Sequence, residues 1–237
     1  MASKVEIILI KYNAPAFERK AIKAVLACTE YPNYSLNAHQ NERGIGLATC
    51  WNRLIAASNA KYICLLNTDT VVTPGWLDKM VAVLDTYADV VAVVPSSNLV
   101  HMSQIDTPLL RDEMDEVCIN EFAGCLPDRG LITLETCSAM CVLFRKSAWE
   151  GERFDEAFYL YGEDTEFFYR LVKRGLGRIQ WHTGVYVHHY GQQSMAQAVA
   201  DGEFIYAELR QRAATLWEDR KAAIDCLTLS NAHSVHG

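Results

Sequence analysis

Short hydrophobic runs alternate with stretches of helical periodicity along the first part of the chain. The β-branched run at residues 5–10 predicts a buried first strand, and residues 16–29 place apolar side chains at helical spacing. A weaker strand at residues 35–40 and an amphipathic helix at residues 47–58 repeat the alternation. This order of elements predicts an α/β domain.

The alternation continues toward residue 100. A buried strand is predicted at residues 62–66, and Thr73 and Pro74 read as an N-cap and a first helical position for a helix through residue 84. The run at residues 90–94 predicts the next strand. We therefore expect a mostly parallel sheet with helices on both faces, and loops that line one cleft beyond the carboxyl ends of the strands.

The second half of the chain is less regular. Residues 96–134 are polar and acidic and are interpreted as a long loop, called the excursion below, and such loops often cover a site. A strand at residues 141–144, a helix at residues 163–173 and a strand at residues 185–187 are predicted to complete the core. A terminal helix is predicted at residues 201–225.

Composition narrows the class of protein. The chain has 237 residues, half of them hydrophobic, which suits one globular domain. A net charge of -7 without a basic cluster argues against a nucleic-acid partner. The apolar runs are too short to span a membrane and no secretory signal begins the chain, so we expect a cytoplasmic protein. The eight cysteines lack zinc-ligand spacing and are interpreted as buried free thiols.

Acidic residues follow one of the buried strands and precede one of the helices. Asp69 comes just after the strand at residues 62–66, and a hard carboxylate there suits Mg²⁺ or Mn²⁺. The alternative is a turn in which Asn67 and Asp69 only bond the backbone. Glu163 and Asp164 cluster where the helix at residues 163–173 begins, and they could serve chemistry or only complement the helix dipole.

Two adjacent histidines end the last predicted strand. His188 or His189 could complete a metal site or contact phosphate. Neighbouring residues of a strand face opposite ways, so we expect at most one of them in the cleft. A packed or surface histidine is the alternative for each.

The order of these motifs resembles family 2 glycosyltransferases of the GT-A fold, especially rhamnosyltransferase-like bacterial members, over about residues 4–194. Residues 5–13 are similar to the family's opening strand, residues 46–52 to its glycine and asparagine segment, and residues 65–70 to its metal motif. Residues 154–171 carry FDE and YGED followed by a helix that ends in RL, and residues 188–194 resemble a closing HHxGxxS.

The resemblance implies a reaction and a set of roles. It implies an inverting transfer of a sugar from a nucleotide diphosphate sugar to a hydroxyl acceptor, such as a glycan in polysaccharide assembly. Asp164 takes the place of the catalytic base, and Asp69 and His188 the places of the contacts to Mn²⁺ or Mg²⁺. His189 is the less favoured of the two histidines, and Asn67 is a ribose or phosphate contact.

The resemblance also divides the single domain. Residues 1–95 correspond to the half that binds the nucleotide sugar, residues 96–200 to the acceptor and catalytic half, and residues 201–237 to a helical tail. The full set of expected donor contacts is Tyr12, Asn13, Gln40, Asn41, Asn67, Thr68 and Glu163.

Two departures from the family pattern leave alternatives open. Gln40 and Asn41 stand where relatives usually have an Asp-Asn pair, so the nucleobase is open. This departure, together with Asn67 in the metal motif, leaves a non-catalytic sugar-nucleotide or glycan-binding module as the alternative function. Asp164 argues against it, because a binding protein needs no base. A nucleotidyltransferase ranks last, since the loop at residues 11–15 lacks the glycines that would hold a triphosphate.

Overall fold

The computed structural model describes residues 3–42, 44–100, 102–103, 105, 115–191, 193, 200 and 206–234. Its strands are β1 (Val5–Lys11), β2 (Tyr34–Gln40), β3 (Tyr62–Leu66), β4 (Thr70–Val72), β5 (Val90–Ser96), β6 (Leu131–Leu134), β7 (Cys141–Arg145) and β8 (Arg178–His189). Its helices are α1 (Pro15–Cys28), α2 (Leu47–Ala57), α3 (Trp76–Thr86), α4 (Glu116–Cys125), α5 (Lys146–Glu152), α6 (Glu163–Lys173) and α7 (Tyr206–Ser234).

The strands form one sheet in the order β2-β1-β3-β7-β5-β8-β4, with β6 paired to β8. Strands β1, β2 and β3 are parallel, and β7 runs antiparallel between β3 and β5. Strand β8 is parallel to β5, so β1, β2, β3, β5 and β8 all point the same way. The predicted α/β fold with a mostly parallel sheet is confirmed, and the carboxyl ends of these five strands meet at one edge.

Helices cover both faces of the sheet, as the sequence predicted. Alternate residues of β1 point to opposite faces, so that Ile7 and Leu9 pack with α1 and α3, whereas Ile8 packs with α2 and α6. Each face buries a separate apolar cluster that includes large aromatic side chains, such as Trp76 on one face and Phe167 on the other. The site edge is therefore held between two packed layers.

The start of α3 differs from the prediction at Thr73 and Pro74. The helix begins at Trp76, and its N-cap is Gly75 with a left-handed φ of 74°. The Thr73 hydroxyl instead donates a hydrogen bond of 2.7 Å to the carbonyl of Tyr186 on β8. Because the Thr73 hydroxyl bonds this distant carbonyl, it does not cap the N-terminus of α3.

The excursion at residues 96–134 contains structure that the sequence did not predict. Helix α4 begins where Asp115 accepts a hydrogen bond from the amide of Cys118, and β6 adds to the edge of β8. Strand β8 itself spans twelve residues, far beyond the predicted 185–187. Residues 106–114 lie outside the described part.

The terminal helix and the cysteines follow the predictions in their main features. Helix α7 spans Tyr206–Ser234, while residues 201–205 of the predicted helix lie outside the described part. The eight cysteines are free thiols, but Cys118, Cys125 and Cys226 are exposed rather than buried as predicted. Within the ranges that the structure describes, no helix is long and apolar enough to cross a membrane.

Candidate active site

A cavity of about 550 Å³ opens at the sheet edge where β1, β3 and β8 end. Its wall is formed by loops after β1, β2 and β3, the segment before β7, the N-terminus of α6, the end of β8 and one residue of α7. A volume of this size suits a small-molecule or cofactor ligand. The cavity lies at the position where open α/β sheets bind ligands.

Asp69 lies in the wall of this cavity, directly after β3. Its side chain is 8 % exposed, and Oδ2 accepts a hydrogen bond of 3.1 Å from the amide of Gln193. Burial alone would raise the pKa of Asp69, but the neighbouring His189 and this amide outweigh it and hold the pKa below its ordinary value. Asp69 is thus a buried carboxylate that keeps its charge.

His189 faces Asp69 from the end of β8. Its Nδ1 donates a hydrogen bond of 2.6 Å to the carbonyl oxygen of Leu99, so Nε2 is the ring nitrogen that faces Asp69. Burial lowers the pKa of His189, but the nearby Asp69 outweighs it and raises this pKa above its ordinary value. Nε2 lies 3.2 Å from Oδ1 of Asp69 but has no aligned hydrogen-bond partner. Asn98 holds this histidine in place, because its amide group bonds both the N–H and the C=O of the His189 backbone, at 2.8 and 3.0 Å.

These two side chains fit a divalent cation. In an octahedral site, two neighbouring ligand atoms each lie about 2.1 Å from the ion and make a right angle at it, so they are about 3 Å from each other. The separation of Nε2 and Oδ1 is close to this value. The described residues hold no cluster of three or more His, Cys, Asp or Glu side chains suited to a metal. Two protein ligands, Asp69 and His189, can nevertheless be enough for a cation site, since Mg²⁺ and Mn²⁺ commonly take their remaining ligand oxygens from water and substrate phosphate.

His188, which the sequence analysis preferred as the metal contact, is not in the cavity wall. It is fully buried on the opposite face of β8, with Nδ1 3.2 Å from the hydroxyl of Tyr186 and its ring against Tyr190. Burial first, then the charges of neighbouring groups, lowers the pKa of His188 to about 4, so it is a neutral core side chain. The structure therefore places His189, and not His188, beside Asp69 in the cavity wall.

Asp164 and Glu163 enter the cavity from the first turn of α6. Asp164 Oδ2 accepts a hydrogen bond of 2.7 Å from the amide of Ala139, and Oδ1 accepts one of 2.7 Å from the amide of Thr165. Oδ1 also accepts a bond of 3.3 Å from the Thr165 hydroxyl, so these bonds orient the carboxylate and leave Oδ2 a second lone pair. Glu163 is 4 % exposed, and burial, followed by the charge of Asp164, raises its pKa to about 8.

The predicted donor contacts divide into two groups. Tyr12, Asn41, Asn67, Thr68 and Glu163 line the cavity, whereas Asn13 and Gln40 do not. The exposed Gln40 turns its amide back to the carbonyl of Lys11 at 3.2 Å. Ser194, the last residue of the closing motif, lies outside the described residues.

Several residues at the site were not assigned a role from the sequence. Tyr159, Tyr161 and Arg210 line the cavity, and Asn98 positions His189. The YGED motif was the available signal for Tyr161, but Arg210 sits in a helix without a motif. Asn98 lies in a polar excursion in which no spacing marks it.

Unsatisfied polar atoms concentrate in this cavity. Seven buried side-chain atoms of the described residues lack a hydrogen-bond partner, and four of them belong to the cavity-lining residues Asn41, Tyr161, Glu163 and His189. Buried polar groups are almost always hydrogen-bonded in folded proteins. Four orphaned atoms in one cavity therefore indicate a polar ligand.

Comparison with known proteins agrees with this architecture. The family described as Glycosyl transferase family 2 matches residues 3–150. The structure of GalNAc-T7 with UDP, GalNAc and Mn²⁺ is similar, with a TM-score of 0.61 and 12% identity over 79% of this chain, which covers only 44% of that protein. Residues 1–349 of TarS from S. aureus give a TM-score of 0.52 and 14% identity, with 92% of this chain and 71% of that chain covered.

No curated protein matches the chain. At identities this low the two solved structures show the fold alone, and that fold is GT-A, as the sequence motifs predicted. The match to the family covers more than half of the chain, from the first strand through β7. The chain belongs to the family 2 glycosyltransferases.

Proposed function

We propose that the chain is an inverting glycosyltransferase that moves a sugar from a nucleotide diphosphate sugar to a hydroxyl group of a glycan or another acceptor. The observation that carries this proposal is one cavity that holds Asp164 together with the Asp69–His189 pair. Residues 1–95 supply the nucleotide side of the cavity in this proposal, and residues 96–200 supply the acceptor and catalytic side.

Asp69 and His189 would hold Mn²⁺ or Mg²⁺. When bound, such an ion supplies positive charge that offsets the negative charge on the departing diphosphate. The Nε2 of His189, which faces Asp69 without an aligned hydrogen-bond partner, and the buried charge of Asp69 support this assignment. The similar structure of GalNAc-T7 was solved with UDP and Mn²⁺, which is consistent with it.

Asp164 would act as the base. The acceptor hydroxyl oxygen forms a bond to the anomeric carbon and passes its proton to the Asp164 carboxylate, while the bond from that carbon to the diphosphate oxygen breaks. The nucleotide diphosphate leaves with the bonding electrons. Because the attack comes from the face opposite the leaving group, the anomeric configuration inverts. The amides of Ala139 and Thr165 keep the carboxylate oriented during this step.

The nucleotide side of the cavity offers polar contacts to the donor. Asn41 has a buried, unpaired Oδ1, and Tyr12, Asn67 and Thr68 lie beside it in the wall. We assign the nucleobase or ribose contact to Asn41 rather than to Gln40, because the Gln40 amide points away from the cavity. Glu163, which lies beside Asp164 rather than on the nucleotide side, contributes a carboxyl group that is protonated at neutral pH and can donate to a hydroxyl of the donor sugar.

Calorimetric titration with UDP, GDP, dTDP and CDP, with and without Mn²⁺, tests the donor site. We expect one nucleotide to bind in a metal-dependent manner, and we expect Asp69→Ala to abolish this binding. His189→Ala should weaken it by about 10-fold or more, whereas His39→Ala, whose side chain is not in the cavity wall, should leave it unchanged. Failure of every nucleotide to bind wild type would refute the donor-site assignment.

Catalysis is tested separately from binding. Release of the nucleotide diphosphate from its sugar nucleotide, to water or to an added glycan acceptor, is measured for wild type and for Asp164→Asn. The variant should keep donor affinity and lose about 10²- to 10⁴-fold in rate, the usual contribution of a positioned base. Tight donor binding without any turnover in wild type would instead favour the sugar-nucleotide-binding module.

A further inference from the structure

Arg210 brings a positive charge to the cavity wall from the C-terminal helix α7. This helix is held against α6, because Trp217 packs edge-on against Tyr169 at 5.3 Å between ring centres. The Tyr169 hydroxyl also donates a hydrogen bond of 2.6 Å to the carboxylate of Asp225. The position of Arg210 is therefore set by helix packing.

The guanidinium of Arg210 is available to a ligand. Its Cζ lies 5.6 Å from the ring centre of Tyr206, a cation–π distance that orients the group. Arg210 makes no ion pair or hydrogen bond with any residue that the structure describes, and the cavity carboxylates Asp69 and Asp164 are bound by other groups. The N–H groups of a guanidinium lie in one plane, where they fit carboxylate or phosphate oxygens.

Two further hydrogen-bond donors share this end of the cavity. The Tyr161 ring meets Tyr206 at 5.7 Å and 89°, and its buried hydroxyl has no aligned partner among the described residues. Tyr161 has a φ of 69° and is followed by Gly162 at 89°, an arrangement that is unfavourable for a bulky residue and concentrates at functional sites. Glu163 adds a protonated carboxyl group.

These groups flank the base rather than the nucleotide loops. Tyr161 and Glu163 precede Asp164 in the same turn, whereas the nucleotide contacts Tyr12 and Asn41 follow β1 and β2. We infer that the acceptor carries an anionic group, a carboxylate or a phosphate ester, that binds Arg210 and the Tyr161 hydroxyl while the acceptor hydroxyl reaches Asp164. This inference rests on the proposed transferase function and names the class of its acceptor.

Matched monosaccharides test the charge preference directly. Methyl glucoside is neutral, methyl glucuronide carries a carboxylate and glucose 6-phosphate carries a phosphate ester, and each is titrated at low salt by calorimetry or NMR. We expect wild type to bind a charged sugar about 10-fold or more tightly than the neutral one, and the better of the two identifies the anion. The preference should vanish in Arg210→Ala, fall in Arg210→Lys and persist in Arg212→Ala, whose side chain lines a different pocket.

Nucleotide titrations on the same variants keep the two proposals apart. Binding of UDP, GDP or dTDP with Mn²⁺ should be equal in wild type and Arg210→Ala. Equal affinity of wild type for charged and neutral sugars would overturn the inference. Loss of nucleotide binding in Arg210→Ala would also overturn it, by assigning this arginine to the donor diphosphate. A third outcome is also informative. If the protein prefers charged sugars through Arg210 but binds no nucleotide, the anion site is supported and only the donor-site assignment is refuted.

Discussion

Replacing Glu163 with glutamine removes an ionisable group from the cavity wall while keeping the size of the side chain. Glu163 is 4 % exposed, and its Oε2 has no hydrogen-bond partner. Burial and then the charge of Asp164 raise its pKa from the ordinary 4.5 to about 8. Between pH 4.5 and about 8, Glu163 should therefore keep its proton in the folded protein and lose it in the unfolded chain.

The sign of the effect follows from proton linkage. Below pH 4.5 both states are protonated, so Glu163 does not make stability depend on pH. Between pH 4.5 and 8 only the unfolded chain ionises, and the free energy of unfolding falls as pH rises. Each pH unit inside this window lowers it by up to about 1.4 kcal/mol. From pH 5 to pH 8 wild type should lose about 3 kcal/mol relative to Glu163→Gln.

Urea unfolding of the metal-free and nucleotide-free protein measures this difference. The free energy of unfolding is determined at pH 5, 6, 7 and 8 for wild type, Glu163→Gln and Glu208→Gln, the last of which changes an exposed residue. The stability of Glu163→Gln relative to wild type should rise with pH, while Glu208→Gln should follow wild type throughout. A difference between Glu163→Gln and wild type that stays constant from pH 5 to pH 8 would refute the reasoning.

Three other substitutions have defined outcomes. Asn52→Ala removes four hydrogen bonds of a buried side chain. The free energy of unfolding in urea should fall by about 3 kcal/mol, and a fall of less than about 1 kcal/mol would contradict this expectation. Asn98→Ala frees the end of β8 and should weaken Mn²⁺-dependent nucleotide binding about 10-fold by calorimetry, with a loss of about 1–2 kcal/mol in the free energy of unfolding for the two missing hydrogen bonds. Gly46→Ala places a Cβ 3.0 Å from the Tyr159 carbonyl oxygen and should cost about 1–3 kcal/mol in urea, whereas Gly124→Ala, in open space, should not destabilise.

The elements that the sequence predicted well are those whose own pattern determines them. Helix α6 at residues 163–173 has an acidic first turn and a regular apolar face, and β1 is a mainly apolar run rich in β-branched residues. The three-residue strand β4 has no such signal, because it exists through pairing with the end of β8. Helix α4 follows a polar, acidic stretch and buries mainly Ile119, so its periodicity is weak.

The site residues, too, could be predicted where a local motif marks them and could not be predicted where tertiary packing brings them to the cavity. Asp164 and Asp69 could be predicted because each follows directly from a motif beside a strong helix or strand. The donor contact at Gln40 could not be settled in this way, since its position on β2 was right but its rotamer turned the amide to the carbonyl of Lys11. Arg210 reaches the cavity only through the packing of α7 on α6, which no local pattern records.

The two histidines show where strand alternation stops being informative. Alternation requires that His188 and His189 face opposite sides of β8, but it does not say which side is the cavity. That choice depends on register: Thr70 pairs with His189 and Val71 with His188 across β4 and β8. The amide of Tyr190 also bonds the carbonyl of Asp69 at 2.9 Å, which sets the end of β8 beside the metal motif. Because a shift of one residue would exchange the two rings, these long-range bonds decide that His189 faces Asp69.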